Sequence, residues 1–270
     1  MIKQASLAMS RHRTARLGVA LLSGILMMSS QQNASAADAS EGVHNIVLVH
    51  GAWADGSSWA KIVPLLQAKG FHVVAVQNPL TSLADDTAAT KRALALLDGP
   101  ALLVGHSYGG AVITEAGDDP KVAGLVYVAA FAPDAGEAVG ELGKEYPAPA
   151  GLSELRPDAM GYLSLTPKGI EEDFAPDLPL AERKVMVATQ GPTKGAAFGA
   201  KISSAAWRVK PTWYVVASDD RMIPPDLERH FAKAMNAKTL TLASSHVPML
   251  SHPDAVAKFV IEAAQTVSVK

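Results

Sequence analysis

Leu102-Leu103-Val104-Gly105-His106-Ser107-Tyr108-Gly109-Gly110 is the stretch whose reading decides the fold. The run Ala101 to Val104 is apolar at every position and predicts a buried strand. It ends in Gly-x-Ser-x-Gly, and the small-residue run Gly110 to Ala116 predicts a helix. Strand, sharp turn and helix in that order are what a serine needs to stand clear of a sheet as a nucleophile. The turn holds the serine in a strained backbone conformation, and flanking glycines remove side chains that would clash there. The helix N-terminus behind it favours developing negative charge. Five residues of this kind also occur in plain Gly/Ser turns; the placement between strand and helix gives the pattern its weight.

Outward from this point the chain alternates. Asn45 to His50, Phe71 to Val76, Val122 to Ala130, Thr212 to Ser218 and Lys238 to Leu242 read as further strands. Between them, Ser58 to Lys69 has helical spacing at Trp59, Ile62, Val63 and Leu66, with Gly70 as a stop. Thr87 to Leu97, Pro225 to Met235 and Pro253 to Thr266 also read as helices. Strands that are apolar on every residue are covered on both faces, so the sheet is expected to be mostly parallel with helices on each side. From about 133 to 207 the rhythm breaks. Prolines at 133, 147, 149, 157, 167, 176, 179 and 192 interrupt every periodic stretch. No strand pattern is visible there, only short helical pieces such as Glu171 to Phe174 and Leu180 to Ala188. Because the strands resume afterwards, this segment reads as a small helical cap inserted into one domain spanning 37–270.

The N-terminal residues have a different character. Lys3, Arg11, Arg13 and Arg16 precede the apolar run Leu17 to Met28, and Ala34-Ser35-Ala36 offers a small-residue cleavage site. Residues 1–36 therefore read as a secretory signal peptide, and the location expected is periplasmic or extracellular. Arg11-His12-Arg13 lacks the adjacent arginine pair of a twin-arginine signal. Removing 1–36 takes away four basic and no acidic residues, moving the formal charge from −2 to −6. A mildly acidic chain is a poor partner for nucleic acid or anionic membrane. The absence of cysteine excludes disulfides, thiolate metal sites and a cysteine nucleophile. No metal cluster, phosphate loop or dinucleotide fingerprint is visible, so no cofactor is expected.

A serine nucleophile needs a base. Of the histidines at 44, 50, 72, 106, 230, 246 and 252, His246 stands out, because it sits in a loop directly after the last strand. That is the carboxyl edge of the sheet, the same edge as Ser107. His252, in Ser-His-Pro, reads as the cap of the last helix, and His106 reads as a packing residue pointing away from the serine. The base needs a carboxylate to fix its tautomer. Asp219-Asp220 follows the penultimate strand, and only one of the two adjacent carboxylates can reach His246. The order Ser, Asp, His is the one expected of α/β-hydrolases. Backbone N–H groups of Tyr108 and of Ala52, in the loop after the first strand, are the expected donors to an oxyanion.

Together, His50-Gly51-Ala52-Trp53 with Trp59, Gly105-His106-Ser107-Tyr108-Gly109-Gly110, Asp220-Arg221-x-Ile223-Pro224 and Ser245-His246-x-Pro248 resemble the α/β-hydrolase superfamily. The resemblance covers Asn45 to about Val267 and is nearest to small bacterial esterase-like members, similar to the plant methylesterase and hydroxynitrile lyase branch. It implies Ser107 as nucleophile, His246 as base, Asp220 rather than Asp219 as acid, and Ala52 and Tyr108 as oxyanion donors. Hydroxynitrile lyases of the branch carry lysine after the histidine, where Val247 stands, and threonine at the place of Ala52. Dehalogenases and epoxide hydrolases use aspartate in place of Ser107. The expectation is hydrolysis of small or medium carboxylic esters through an acyl-enzyme. The alternatives are the same triad acting on an amide, lactone or carbon–carbon bond, perhydrolysis, or a ligand-binding homologue with little turnover. Trp53, Trp59, Tyr146, Tyr162, Phe174, Phe198 and Trp207 are the candidate aromatics of an apolar pocket. Oligomeric state is not legible.

Overall fold

The computed structural model describes residues 42–267, so the expected signal peptide at 1–36 lies outside the described residues. Six strands form the main sheet: β1 (Asn45–Val49), β2 (His72–Val76), β3 (Ala101–Ser107), β4 (Val122–Ala130), β8 (Thr212–Ala217) and β9 (Lys238–Leu242). Their order is β2-β1-β3-β4-β8-β9, and every neighbouring pair is parallel. β1 and β3 are buried along their whole length, as strands covered on both faces must be. The helices are α1 (Val63–Gln67), α2 (Leu83–Ala95), α3 (Gly109–Ala116), α4 (Leu180–Thr189), α5 (Pro225–Ala234), α6 (Pro248–Ser251) and α7 (Pro253–Thr266). α7 buries Val256, Ala257, Val260, Ala263 and Ala264, a stripe at helical spacing. Among the described residues, no helix is long and apolar enough to cross a membrane.

Three departures from the sequence expectations have local causes. The helix expected over Ser58 to Lys69 divides into a 3-10 turn, Gly56–Trp59, and the short α1. Pro64 lacks the N–H that a continuous helix would use there, so it sits at the new N-terminus. α2 begins before the expected Thr87, because Ser82 caps it by accepting the Asp85 N–H at 3.1 Å.

The third departure is in the segment between β4 and β8. It carries three strands where only helical pieces were expected: β5 (Leu155–Pro157), β6 (Tyr162–Leu165) and β7 (Thr193–Lys194), paired antiparallel. A turn at Asp158–Gly161 joins the first two. Asp158 Oδ1 accepts the N–H groups of Met160 and Tyr162, each at 2.8 Å, and Gly161 adopts φ +77°. The cap is thus a mixed α/β element.

The parallel arrangement places the carboxyl ends of β1, β3, β8 and β9 on one edge. β3 lies between β1 and β4, with Val104 opposite Leu48 on one side and Val126 on the other. The register shifts between His106 and Ser107, where the strand turns into α3. α3 then crosses close over β1: a Cβ on Gly109 would lie 2.5 Å from the Val49 carbonyl oxygen. Only glycine fits at that crossing.

Candidate active site

Ser107 closes β3 with φ +55°, in the left-handed region that an L-serine avoids. Helix α3 and the paired strands hold it there, which is the strain expected of a presented nucleophile. Its Oγ–H donates to Nε2 of His246 at 2.7 Å. His246 Nδ1–H donates to Asp220 Oδ2 at 2.5 Å. A carboxylate only accepts, so this contact fixes the tautomer and leaves Nε2 bare to receive the serine proton. Asp220 is in turn aimed by its own loop: Oδ1 accepts Met222 N–H at 2.6 Å and Ile223 N–H at 3.0 Å. Asp219, the other member of the pair, is exposed. His246 has no exposed surface, while Ser107 and Asp220 are 4% and 6% exposed. Water therefore competes little for these hydrogen bonds.

His106, expected to be a packing residue, packs against His246 and also bonds to its main chain. Its Nε2–H donates to the His246 carbonyl oxygen at 2.7 Å, and the two ring centroids are 4.8 Å apart. Burial holds its pKa well below the usual histidine range, with the nearby His246 acting in the same direction. A charged His106 would repel a protonated His246 by roughly 3 kcal/mol at an effective dielectric near 20. Neutral, it braces the base without opposing its charge.

The loop after β1 brings main-chain groups up against Ser107. A Cβ on Gly51 would lie 2.6 Å from the Ser107 Cβ, so the backbone passes directly against the serine. His50 anchors this loop from behind. Its Nδ1–H donates to Gly51 O at 2.8 Å, and its Nε2 accepts the Asn78 N–H at 2.9 Å. Burial lowers the His50 pKa and keeps the ring neutral, as this donor–acceptor pattern requires. Ala52 and Tyr108, the two expected donors, are both buried and line the same cavity as Ser107. The Tyr108 side chain is fixed by Asp86, whose Oδ2 accepts its O–H at 3.0 Å and whose Oδ1 accepts Leu80 N–H at 2.7 Å.

The cap grips both loops that carry His246 and Asp220. Asp177 accepts Ser245 N–H at 2.9 Å through Oδ2 and Ser245 O–H at 2.5 Å through Oδ1, next to His246. Asp173 pairs with Arg221 Nε at 3.0 Å, next to Asp220. Phe174, fully buried, meets the His246 ring edge-on at 5.0 Å. These residues fall in or just after a π-helical turn, Gly169–Phe174, of the kind frequent at functional sites. Asp173 and Asp177 were not among the candidates read from sequence. Each acts across a long chain separation, and no local pattern marks them.

A cavity of about 400 Å³ opens above Ser107. Of the candidate aromatics, Trp53, Tyr146 and Phe198 line it, joined by Phe131, Met222 and Leu227. The others have different places. Trp59 is buried against His106, Phe174 packs on the base, and Tyr162 lies under the Lys194 ammonium. Trp207 donates its indole N–H to Pro133 O at 2.9 Å. Trp53 ties the β1 loop to the cap through its indole N–H, which donates to Leu163 O at 2.9 Å. The remaining histidines stand apart from the cavity lining: His44 and His72 flank the start of strands, His230 is exposed on α5, and His252 precedes α7. Among the described residues, no group of three His, Cys, Asp or Glu is placed to hold a metal ion.

An α-hydroxynitrile lyase of Arabidopsis thaliana is 28% identical over 239 residues, covering 78% of this chain and 93% of that protein. A pyrethroid hydrolase of Sphingobium wenxiniae is 26% identical over 256 residues, covering 82% and 88%. The crystal structure of a pyrethroid hydrolase from Sphingobium faniae superposes with a TM-score of 0.70 at 26% identity, covering 82% of this chain and 96% of that one. The family model described as the alpha/beta hydrolase family matches residues 46–259, a span that includes Ser107, Asp220 and His246. The chain belongs to the alpha/beta hydrolase family.

Proposed function

We propose that this chain hydrolyses carboxylic esters of small to medium size through an acyl-enzyme on Ser107. The observation that carries the reading is the buried hydrogen-bonded chain Ser107–His246–Asp220, whose serine lines an apolar cavity. His246 Nε2 takes the Ser107 proton as Oγ bonds to the ester carbonyl carbon. The carbonyl oxygen becomes an oxyanion and is received by the N–H groups of Ala52 and Tyr108. Each such donor is worth roughly 100- to 1,000-fold in rate. Asp220 stabilises the imidazolium, which returns its proton to the departing alkoxide as the carbon–oxygen bond breaks. Water then attacks the acyl carbon, gives its proton to His246, and Ser107 leaves with that proton as the acid is released.

The lining favours an apolar acyl or alcohol group, and about 400 Å³ accommodates a compact molecule rather than a polymer. Relatives named as pyrethroid hydrolase and carbendazim hydrolyzing esterase point to the same class of bond. Cyanohydrin cleavage, the reaction named for another relative, is disfavoured here. Val247, fully buried beside His246, offers no cation for a departing cyanide. A series of p-nitrophenyl esters assayed on wild type and Ser107→Ala tests the proposal. Turnover by wild type alone is the expected result, and turnover surviving in the variant overturns it. A wild type inert to every ester that binds a small molecule tightly would instead mark a receptor. Export through residues 1–36 is part of the same proposal, and the expected mass of secreted protein is that of a chain beginning at Ala37.

A further inference from the structure

Helix α5 carries a carboxyl that the chemistry above does not use. Glu228 lies in its first turn with no exposed surface. Its Oε2 accepts the Ala217 N–H at 3.0 Å, while Oε1 meets no donor among the described residues. Asp220 is the neighbouring carboxylate, its own N–H reaching Ala217 O at 3.4 Å in the same turn, and Tyr214 and Arg229 are the other titratable groups that act on it. Tyr214 supplies it no proton, and the Arg229 charge favours its ionised form less than burial and Asp220 oppose it. The Tyr214 hydroxyl donates to Ala130 O and accepts Ala130 N–H at 3.1 Å. The Arg229 guanidinium is half exposed and paired with Asp226 at 2.6 Å.

Two carboxylates cannot both be ionised side by side away from water. Asp220 already accepts three hydrogen bonds, from Met222, Ile223 and His246. Glu228 receives one. The proton therefore belongs to Glu228, and the free Oε1 is where it sits. A carboxylate has about four acceptor positions, so Asp220 has room for one more donor. Burial, with the adjacent Asp220 charge, pushes the Glu228 pKa well above the usual carboxylate range.

We infer that Glu228 is a neutral acid whose O–H donates to the Asp220 carboxylate, making it a positioning residue behind the Ser107–His246–Asp220 chain. The role rests on the serine-hydrolase reading; the protonation state does not. Glu228→Gln keeps both contacts, with amide N–H to Asp220 and amide oxygen to Ala217, but carries no titrating proton. Glu228→Met removes both.

The folded chain holds this proton more tightly than the unfolded one. The stability it confers is therefore fully present below the ordinary glutamic value of 4.5 and is lost as pH rises towards the raised folded value. The Tm difference between Glu228→Gln and wild type should accordingly widen in favour of the variant as pH rises above 4.5. The infrared difference spectrum at neutral pH should show a protonated-carboxyl stretch in wild type that is missing in Glu228→Gln. Should that variant fail to fold, Glu228→Met serves as the reference. Ester turnover should be kept by Glu228→Gln and fall about 10- to 100-fold in kcat, with little change in KM, in Glu228→Met. A Tm difference constant with pH, or a spectrum without that band, overturns the neutral acid. Unchanged kcat in Glu228→Met overturns its role at Asp220. The infrared and Tm arms read Glu228 even if no ester is turned over, so failure of the hydrolase reading remains distinct.

Discussion

Gly51→Ala is the sharpest test of how the β1 loop and the nucleophile fit together. The added Cβ would sit 2.6 Å from Ser107 Cβ, 2.9 Å from His106 O and 3.2 Å from Ser107 Oγ. Ordinary contact begins at 3.4 Å, so loop and serine must separate by about 0.8 Å at the nearest pair. Neither side yields easily. Ser107 is pinned by β3 and α3, and the loop is pinned by His50, Asn78 and the Trp53 indole. Overpacking of this kind costs about 1–3 kcal/mol. For a domain of this size each kcal/mol lowers Tm by about 2–4 °C. The functional cost is larger than the thermal one. Ala52 follows Gly51 directly, and a donor displaced by the better part of an ångström loses most of its hold on an oxyanion. A fall in kcat/KM of roughly 100-fold is expected, most of it in kcat. Steady-state hydrolysis of a short-chain p-nitrophenyl ester and a thermal melt measure the two effects. Gly99→Ala is the matched control, since a Cβ there meets its nearest atom at 3.7 Å. If Gly51→Ala keeps wild-type kcat/KM while melting lower, the loop does not position an oxyanion donor and the reasoning fails.

Other substitutions probe the remaining parts. Asp220→Asn should lower kcat by roughly 10⁴-fold, because the amide no longer fixes the His246 tautomer; a loss below tenfold would assign the acid elsewhere. Phe174→Ala empties a fully buried ring site against His246 and His106, and should cost about 3–5 kcal/mol in denaturant unfolding together with a loss of kcat. Asp86, whose pKa is raised above its ordinary 3.8 by burial, gives a pH test. The folded state holds that proton more tightly, so stability is fully present below 3.8 and lost as pH rises through the raised value. Wild type should lose Tm relative to Asp86→Asn over that window; parallel curves would contradict the assignment.

What was readable from sequence follows from how locally each feature is encoded. β1, β3 and β4 announce themselves because strands covered on both faces are apolar at consecutive positions. The turn at Ser107 is equally legible, since strand, Gly-x-Ser-x-Gly and helix lie in one short stretch. The base and acid follow from position after β9 and β8, though choosing Asp220 over Asp219 took the family resemblance. β5, β6 and β7 were missed because strands of two to four residues are too short to display an alternating pattern. The Asp158-x-x-Gly161 turn was the available signal. The Asp177 and Asp173 contacts depend on the fold bringing the cap onto two distant loops, which no local pattern encodes. Glu228 did leave a trace: it shares the apolar face of α5 with Phe231 and Ala232, three and four residues on. A carboxyl at such a position is buried, and a buried carboxyl needs a proton or a partner.

The central claim is that Ser107 is the group that becomes acylated. Labelling the intact protein with a fluorophosphonate, which traps an activated serine covalently, tests it most directly when read by intact-mass and peptide mass spectrometry. One adduct per chain on the peptide holding Ser107, absent in Ser107→Ala and strongly slowed in His246→Ala, is the predicted result. An adduct on any other residue, or labelling at the same rate without His246, would contradict it.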